Sequence, residues 1–183
     1  MRNIQVHSRL NHVMLATIGL FFILIQGCAG ASSVNMVPDS YDILHRLDGS
    51  VTVEVDRSKA YRHFLRRVPD GEIKKALEVS LTKSGVFSRV SQSSDADYLL
   101  KVEITSVGIF WGLNFKAALN TTWKLTDLRT NTDVWEDFVR SESRAPSNIC
   151  LGGEVRVRRT YEGVIKENIR LGINQLSEAM VAN

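Results

Sequence analysis

Lys116-Ala-Ala-Leu-Asn-Thr-Thr-Trp-Lys-Leu125 alternates with a period of two: Ala117, Leu119, Thr121, Trp123 and Leu125 fall on one face, Lys116, Asn120, Thr122 and Lys124 on the other. Successive side chains of a strand point to opposite sides, so this pattern predicts a strand with one buried and one wet face. Upstream, Tyr98, Leu100, Val102 and Ile104 alternate with Lys101, Glu103 and Thr105 in the same way. Downstream, Asp127-Leu-Arg-Thr-Asn-Thr-Asp133 turns the chain and Val134-Trp-Glu-Asp-Phe-Val-Arg140 returns it. Three strands joined by short loops predict an antiparallel meander.

A one-faced sheet needs a cover, and residues 154–181 supply it. Val157, Tyr161, Ile165, Ile169, Ile173, Leu176 and Met180 form a helical stripe, with Arg159, Glu162, Lys166, Arg170 and Glu178 mostly off it. Toward the front, Val51, Val53 and Val55 alternate with Thr52, Glu54 and Asp56 as a first strand. A helix follows, opened by Pro69-Asp70-Gly71-Glu72, with Asp70 placed to cap and Glu72 at the positive end of the dipole. Ile73, Ala76, Leu77, Ser80 and Leu81 are its stripe and Gly85 its stop, after which 86–90 resume as a short strand or edge. The expected architecture is α+β, an antiparallel or mixed sheet of about four strands with two helices on one face, in the order β-α-β-β-β-α.

Two stretches stand out as candidate surfaces. Val107-Gly-Ile-Phe-Trp-Gly-Leu-Asn-Phe115 lies between two alternating strands and brings Ile109, Phe110, Trp111, Leu113 and Phe115 together around Gly108 and Gly112. Hairpin tips are normally polar, so an apolar one points to contact with a partner protein or lipid; the alternative is that the strands run through and the aromatics join the core. Arg57-Ser-Lys-Ala-Tyr-Arg-His-Phe-Leu-Arg-Arg67 is basic with aromatics interleaved, and suits either an acidic or lipid-headgroup surface or a solvated connection whose aromatics pack inward.

At the front of the chain, Arg2 and Arg9 precede an apolar run from Val13 to Ile25, which closes on Gly27 and Cys28. That is the anatomy of a secretory signal. Thirteen residues span only about 20 Å as a helix, short of the roughly 30 Å of a bilayer core. Ile25-Gln26-Gly27-Cys28 resembles the lipobox of bacterial lipoproteins, in which the chain is cut before a cysteine that receives a diacylglycerol on sulfur and an acyl chain on its new amine. This resemblance implies Cys28 as the lipidation site and a membrane anchor. Ala29, in place of an aspartate that would resemble an inner-membrane retention signal, implies the periplasmic face of the outer membrane. The expected organisation is a signal peptide over 1–27, a lipidated N-terminus and tether over 28–48, and one domain over 49–183.

Of the 23 basic residues two, and of the 20 acidic residues none, precede Cys28, which leaves a net charge of +1 and no case for nucleic acid. If Cys28 carries lipid, the other cysteine, Cys150, has no partner within the chain; it could be buried, pair between chains or react. Downstream of Cys28 only His45 and His63 occur, without metal-ligand spacing, and no nucleophile elbow or phosphate-cradling glycine loop is present. Asp95/Asp97 and Glu136/Asp137 are carboxylate pairs on a turn and a strand, where solvated charge is the ordinary role, and His63 with Cys150 is the one conceivable thiol–imidazole pair. No catalytic, metal or cofactor site is expected apart from the acyl groups on Cys28.

Ala76-Leu-Glu-Val-Ser-Leu-Thr-Lys-Ser-Gly-Val-Phe87, Asp95-Ala-Asp-Tyr-Leu-Leu-Lys-Val-Glu-Ile104, Trp123-Lys-Leu-Thr-Asp127 with Val134-Trp135, and Arg158-Arg-Thr-Tyr-Glu-Gly-Val-Ile-Lys-Glu-Asn-Ile169 together resemble a group of small Gram-negative envelope lipoproteins. Their architecture is similar to auxiliary lipoproteins of ABC-type lipid transporters and to small domains of TolB-like and penicillin-binding-protein-activator lipoproteins. The resemblance implies a non-enzymatic accessory role, binding or scaffolding within an envelope complex, with homo-oligomerisation left open. The alternative of another class is a lipid-binding transport component whose apolar stretch and helix stripe line a groove.

Overall fold

The computed structural model describes residues 30–60, 62–93, 95–110, 115–144 and 153–180. Five strands, β1 (Leu47–Asp56), β2 (Phe87–Val90), β3 (Tyr98–Phe110), β4 (Lys116–Asp127) and β5 (Thr132–Arg144), form one sheet in the order β2-β1-β3-β4-β5. β3, β4 and β5 make the expected meander, with Leu100 opposite Leu125 and Thr121 opposite Val139. β1 runs parallel to both β3 and β2, so the sheet is mixed.

The helices are α1 (Ser33–Met36), α2 (Arg62–Arg67), α3 (Glu72–Ser84) and α4 (Gly153–Ala179). The architecture is therefore α+β as expected, but with five strands and four helices rather than about four and two. β2 is the strand that reads ambiguously in sequence: four residues with only Phe87 buried show no sustained alternation, and parallel pairing carries no hairpin turn. α1 and α2 are too short to show a helical period, and each is held by one anchor, Met36 and Phe64, both 0% exposed.

The even-numbered positions of β3 as far as Ile104, its odd-numbered ones after the register shift between Ile104 and Ser106, and the odd-numbered ones of β4 form the buried face. Val53, Leu100, Val102, Trp123 and Leu125 meet Ile73, Leu77 and Leu81 of α3 and Val157, Ile165, Ile169, Ile173 and Leu176 of α4 there. Backbone proximity fixes the seating of α4, since a Cβ on Gly172 would lie 2.4 Å from Cε2 and Cζ2 of Trp123. A buried polar relay sets its register. Trp123 Nε1 donates to Thr121 Oγ1 (2.9 Å), which donates to Asn168 Oδ1 (2.8 Å), while Asn168 Nδ2 donates to the Val139 carbonyl (3.2 Å). Buried polar groups are tolerated only when paired, so this relay disfavours a rotated or slid helix.

Three expectations are corrected. Residues 30–48 are not a loose tether: from Ala31 onward they strap the outer flank of α4. Asn35 Nδ2 and the Ser32 N–H both donate to Glu162, Lys166 pairs with Asp39 (2.6 Å), the Asp42 N–H donates to Asn174, and Ser177 Oγ accepts from the backbone of Leu44 and His45. Glu162, off the apolar stripe in sequence, is for this reason buried. Asp70 does not cap α3, whose N-cap is Gly71 at φ 81°; its carboxylate pairs with Arg57 at 2.7 Å. Gly85 does stop the helix, in the left-handed region with its N–H on the Leu81 carbonyl.

Candidate functional site

Because β1 and β3 are parallel and β4 is antiparallel to β3, one end of the sheet gathers the C-termini of β1, β3 and β5 and the N-terminus of β4. α2, which follows β1, lies at this end, and so does the first turn of α4, tied to α2 by Arg67–Glu154 (2.8 Å). Phe64 and Tyr161 pack edge to face at 5.1 Å beneath them, and His63 Nδ1 is 3.2 Å from the Tyr161 hydroxyl. The described N-terminal residues also emerge here: the Ala31 N–H donates to the Arg67 carbonyl at 2.8 Å, and a Cβ on Gly30 would meet Pro69.

The described residues of the apolar stretch, 107–110 and 115, belong to this end, and the register shift between Ile104 and Ser106 sets which of them face the core. β3 runs to Phe110 and β4 restarts at Lys116, with Ile109 opposite Ala117 and Phe110 opposite Lys116. Ile109 and Phe115 are partly buried against the core, whereas Phe110 faces the open side at 62% exposure. Trp111 and Leu113 lie outside the described residues, as do Cys28 and Cys150. Phe115 is also stacked by a cation, with the Arg156 guanidinium carbon 5.4 Å from its ring centroid.

Charge is distributed unevenly between the two ends. Arg62, Arg66 and Arg67 of α2 sit beside Arg156, Arg158 and Arg159 of α4, and the strand ends add the cross-strand neighbours Lys116 and Arg144. Most acids nearby are paired, Asp70 with Arg57, Glu103 with Lys59, Glu154 with Arg67 and Glu142 with Arg140, while Asp56 accepts the Ser58 N–H. Burial lowers the Arg57 pKa against the opposing pull of Asp70. Glu72 accepts the Ser33 N–H at 2.5 Å, a bond that holds its carboxyl below the usual range and staples the strap to α3. The opposite end carries Asp48, Asp95, Asp97, Asp127 and Asp133 together with Arg89, Lys124 and Arg129, with Lys124 on Asp133 and Arg129 on Asp127.

The residues weighed for chemistry are dispersed. His63 is engaged with Tyr161, Asp97 accepts the Ser50 N–H and hydroxyl (2.7 Å each), Asp95 is an exposed turn residue, and Glu136 and Asp137 lie exposed on the edge strand β5. Among the described residues no group of three His, Cys, Asp or Glu side chains could hold a metal ion, and no helix is long and apolar enough to cross a membrane. The α4 stripe does not line a groove, since Val157, Ile165, Ile173 and Leu176 are at most 2% exposed. A concavity of about 550 Å³ lies instead along the outer side of α3, between Lys75, Val79 and Lys83 on the helix and Val90 and Gln92. The cluster that sequence reasoning missed is Arg156, Arg158 and Arg159: the run Arg-Val-Arg-Arg is visible, but only the fold sets it beside α2.

No family model matches this chain, and no curated protein matches it in sequence. Solved structures share its fold. A Xanthomonas campestris protein of the DUF330 family is 10% identical with a TM-score of 0.54, the match covering 80% of this chain and 93% of that one. A hypothetical protein from Chlamydia trachomatis is 12% identical with a TM-score of 0.56, over 75% of this chain and 100% of that one. A minor lipoprotein from Acinetobacter baumannii is 17% identical with a TM-score of 0.46, over 75% and 94%. The first two share the fold described above, and at such identity they speak to the fold alone.

Proposed function

We propose that this chain is a lipoprotein of the Gram-negative envelope, anchored through acyl chains on Cys28 to the periplasmic face of the outer membrane, and that its folded domain is a non-enzymatic binding or scaffolding module. The observation that carries this reading is the segment 13–28, a short apolar run preceded by arginines and ended by Ile25-Gln26-Gly27-Cys28. Several acyl chains on one residue hold a protein to a bilayer durably, where a single chain binds only marginally. The architecture supports a module of the kind that the resemblance to transporter-auxiliary and TolB-like lipoproteins implies, with the 107–115 stretch as its contact for protein or lipid. Replacing Cys28 with alanine tests the reading by cell fractionation: the domain should leave the membrane fraction and lose its acyl mass. A variant that stays membrane-bound and unacylated, like a wild-type protein that never carries acyl groups, contradicts it.

The alternative, a lipid-carrying transport component, now draws on the concavity along α3 rather than on the α4 stripe. Val79, Val90 and the stems of Lys75 and Lys83 line it, but it is an open surface groove rather than an enclosed acyl-chain tunnel. Purified protein free of copurifying lipid by mass spectrometry would set this alternative aside.

A further inference from the structure

We infer that the basic end of the sandwich, built from α2 and the first turns of α4, docks flat on an anionic phospholipid surface, so that the domain is held in one orientation instead of swinging from its anchor. The inference rests on the acylation of Cys28 proposed above, and adds where the folded domain sits once that anchor is in the bilayer.

The geometry begins with the length of chain between anchor and fold. Ala31 is 3% exposed and its N–H is bonded to the Arg67 carbonyl, so only three residue steps separate Cys28 from a point fixed on the domain. Fully extended, that is about 10 Å. A lipidated Cys28 lies at the headgroup level, so the domain pivots about a point close to the membrane, and its surface charge selects which face tips onto the lipid. Ala31 then lies within about 10 Å of the membrane, with the Arg67 carbonyl 2.8 Å from its N–H, so that tipping α2 toward the lipid brings its cations within the roughly 8 Å screening length at physiological salt.

The charge of this end is the second, independent observation. Arg62, Arg66 and Arg159 are exposed, and no ion pair engages them among the described residues, while Asp70, Glu103 and Glu154 are each neutralised by a cation. Arg62 and Arg66 are four apart, on one face of α2. Arg159 lies one turn from Glu162, which binds the strap at Ser32 and Asn35, and is thereby placed beside the emerging chain. Leu65, 38% exposed, stands between Arg62 and Arg66 on α2, and Phe110, 62% exposed, reaches the same end from the open face of the sheet. Arginine heads with short apolar tips between them suit a headgroup layer, where the tips enter the acyl boundary and the guanidinium groups meet phosphates. The far end balances its acids with cations, Asp133 with Lys124 and Asp127 with Arg129, so it does not compete for an anionic surface. The open sheet face and the far end are left for a protein partner.

The test uses the full chain, acylated in cells and reconstituted into vesicles of phosphatidylcholine alone or of phosphatidylcholine mixed with phosphatidylglycerol. A genetically encoded fluorescent amino acid replaces Leu65 at the basic end or Leu128 at the far end, and a headgroup-attached quencher reports proximity. In mixed vesicles the reporter at 65 is quenched and the one at 128 is not. Phosphatidylcholine alone, or the substitutions Arg62→Ala, Arg66→Ala and Arg159→Ala together, lower the docked-to-undocked ratio about a hundredfold, as three cations near an anionic surface imply. An unchanged unfolding midpoint shows that the triple variant folds. Equal quenching at the two positions in acylated protein, or quenching at 65 that ignores lipid charge and the three substitutions, overturns the docking while leaving the anchor intact. A sample whose mass shows Cys28 unmodified overturns the anchor, and the docking with it.

Discussion

Gly163 and Gly172 lie on the same helix, and a methyl group has opposite consequences at the two. At Gly172 the added Cβ meets two atoms of the Trp123 ring at 2.4 Å, and that indole is 0% exposed and hydrogen-bonded through Nε1, so it cannot move aside. Overpacking of about 1–3 kcal/mol outweighs the roughly 1 kcal/mol that alanine returns in helix propensity. Gly172→Ala should therefore lower the urea midpoint, and a raised midpoint would show that α4 is not seated on Trp123. At Gly163 the crowding atom is the Ser143 hydroxyl oxygen, also at 2.4 Å, with Ser143 Cβ at 3.4 Å. A hydroxyl can rotate, so Gly163→Ala should stabilise by up to about 1 kcal/mol. Asp97 gives a residue-scale test by pH. The Ser50 N–H, then the Ser50 hydroxyl, lower its pKa from 3.8. A carboxylate depressed in the folded state contributes stability above its unfolded pKa and loses it as pH falls through the folded value. Denaturant melts should thus show the wild-type advantage over Asp97→Asn shrinking as pH drops below about 3.9; an advantage unchanged by acid would mean the Ser50–Asp97 bonds do not form.

Among the elements, the strap over residues 31–45 departs most from its sequence reading. Met36 at 0% exposure makes the difference measurable: Met36→Ala should cost about 2–5 kcal/mol if the strap belongs to the fold, and almost nothing if it is a tether. Chevron or equilibrium unfolding of the variant decides between them. The meander and both long helices were legible because each repeats its pattern over a dozen residues or more, and Ile73, Leu77, Leu81, Val157, Ile165 and Ile173 are buried as their spacing requires. The strap was not, because its buried side chains have no period: Ala31, Ser33, Met36 and Pro38 are positioned by partners far along the chain, such as Glu162 and Glu72. The same reason hides Glu162, a charged residue buried by a segment 130 residues away. The apolar stretch 107–115 was half legible. Composition marks it as unusual, but the alternation of Leu100, Val102 and Ile104 continued would turn Phe110 inward, and the register shift between Ile104 and Ser106 instead assigns Ile109 to the core side and Phe110 to solvent.

For the whole molecule, the shortness of the link between Cys28 and Ala31 turns an address into a geometry. A long tether would let the domain reach partners anywhere within tens of ångströms, whereas, if Cys28 is acylated, a link of three residues would hold the basic end close to the membrane. The two outer strands, β2 and β5, remain as edges away from that unit, and the charges of β5, including Glu136, Asp137 and Arg140, discourage edge-to-edge pairing. All of this depends on one covalent modification. Intact mass and metabolic acyl labelling of the protein expressed in a Gram-negative host, wild type beside Cys28→Ala, test it most directly. The account predicts a mature chain beginning at Cys28 that carries acyl groups and fractionates with membranes, and a Cys28→Ala protein that carries none. A wild-type protein without acyl mass, or one that retains residues 1–27, would contradict it.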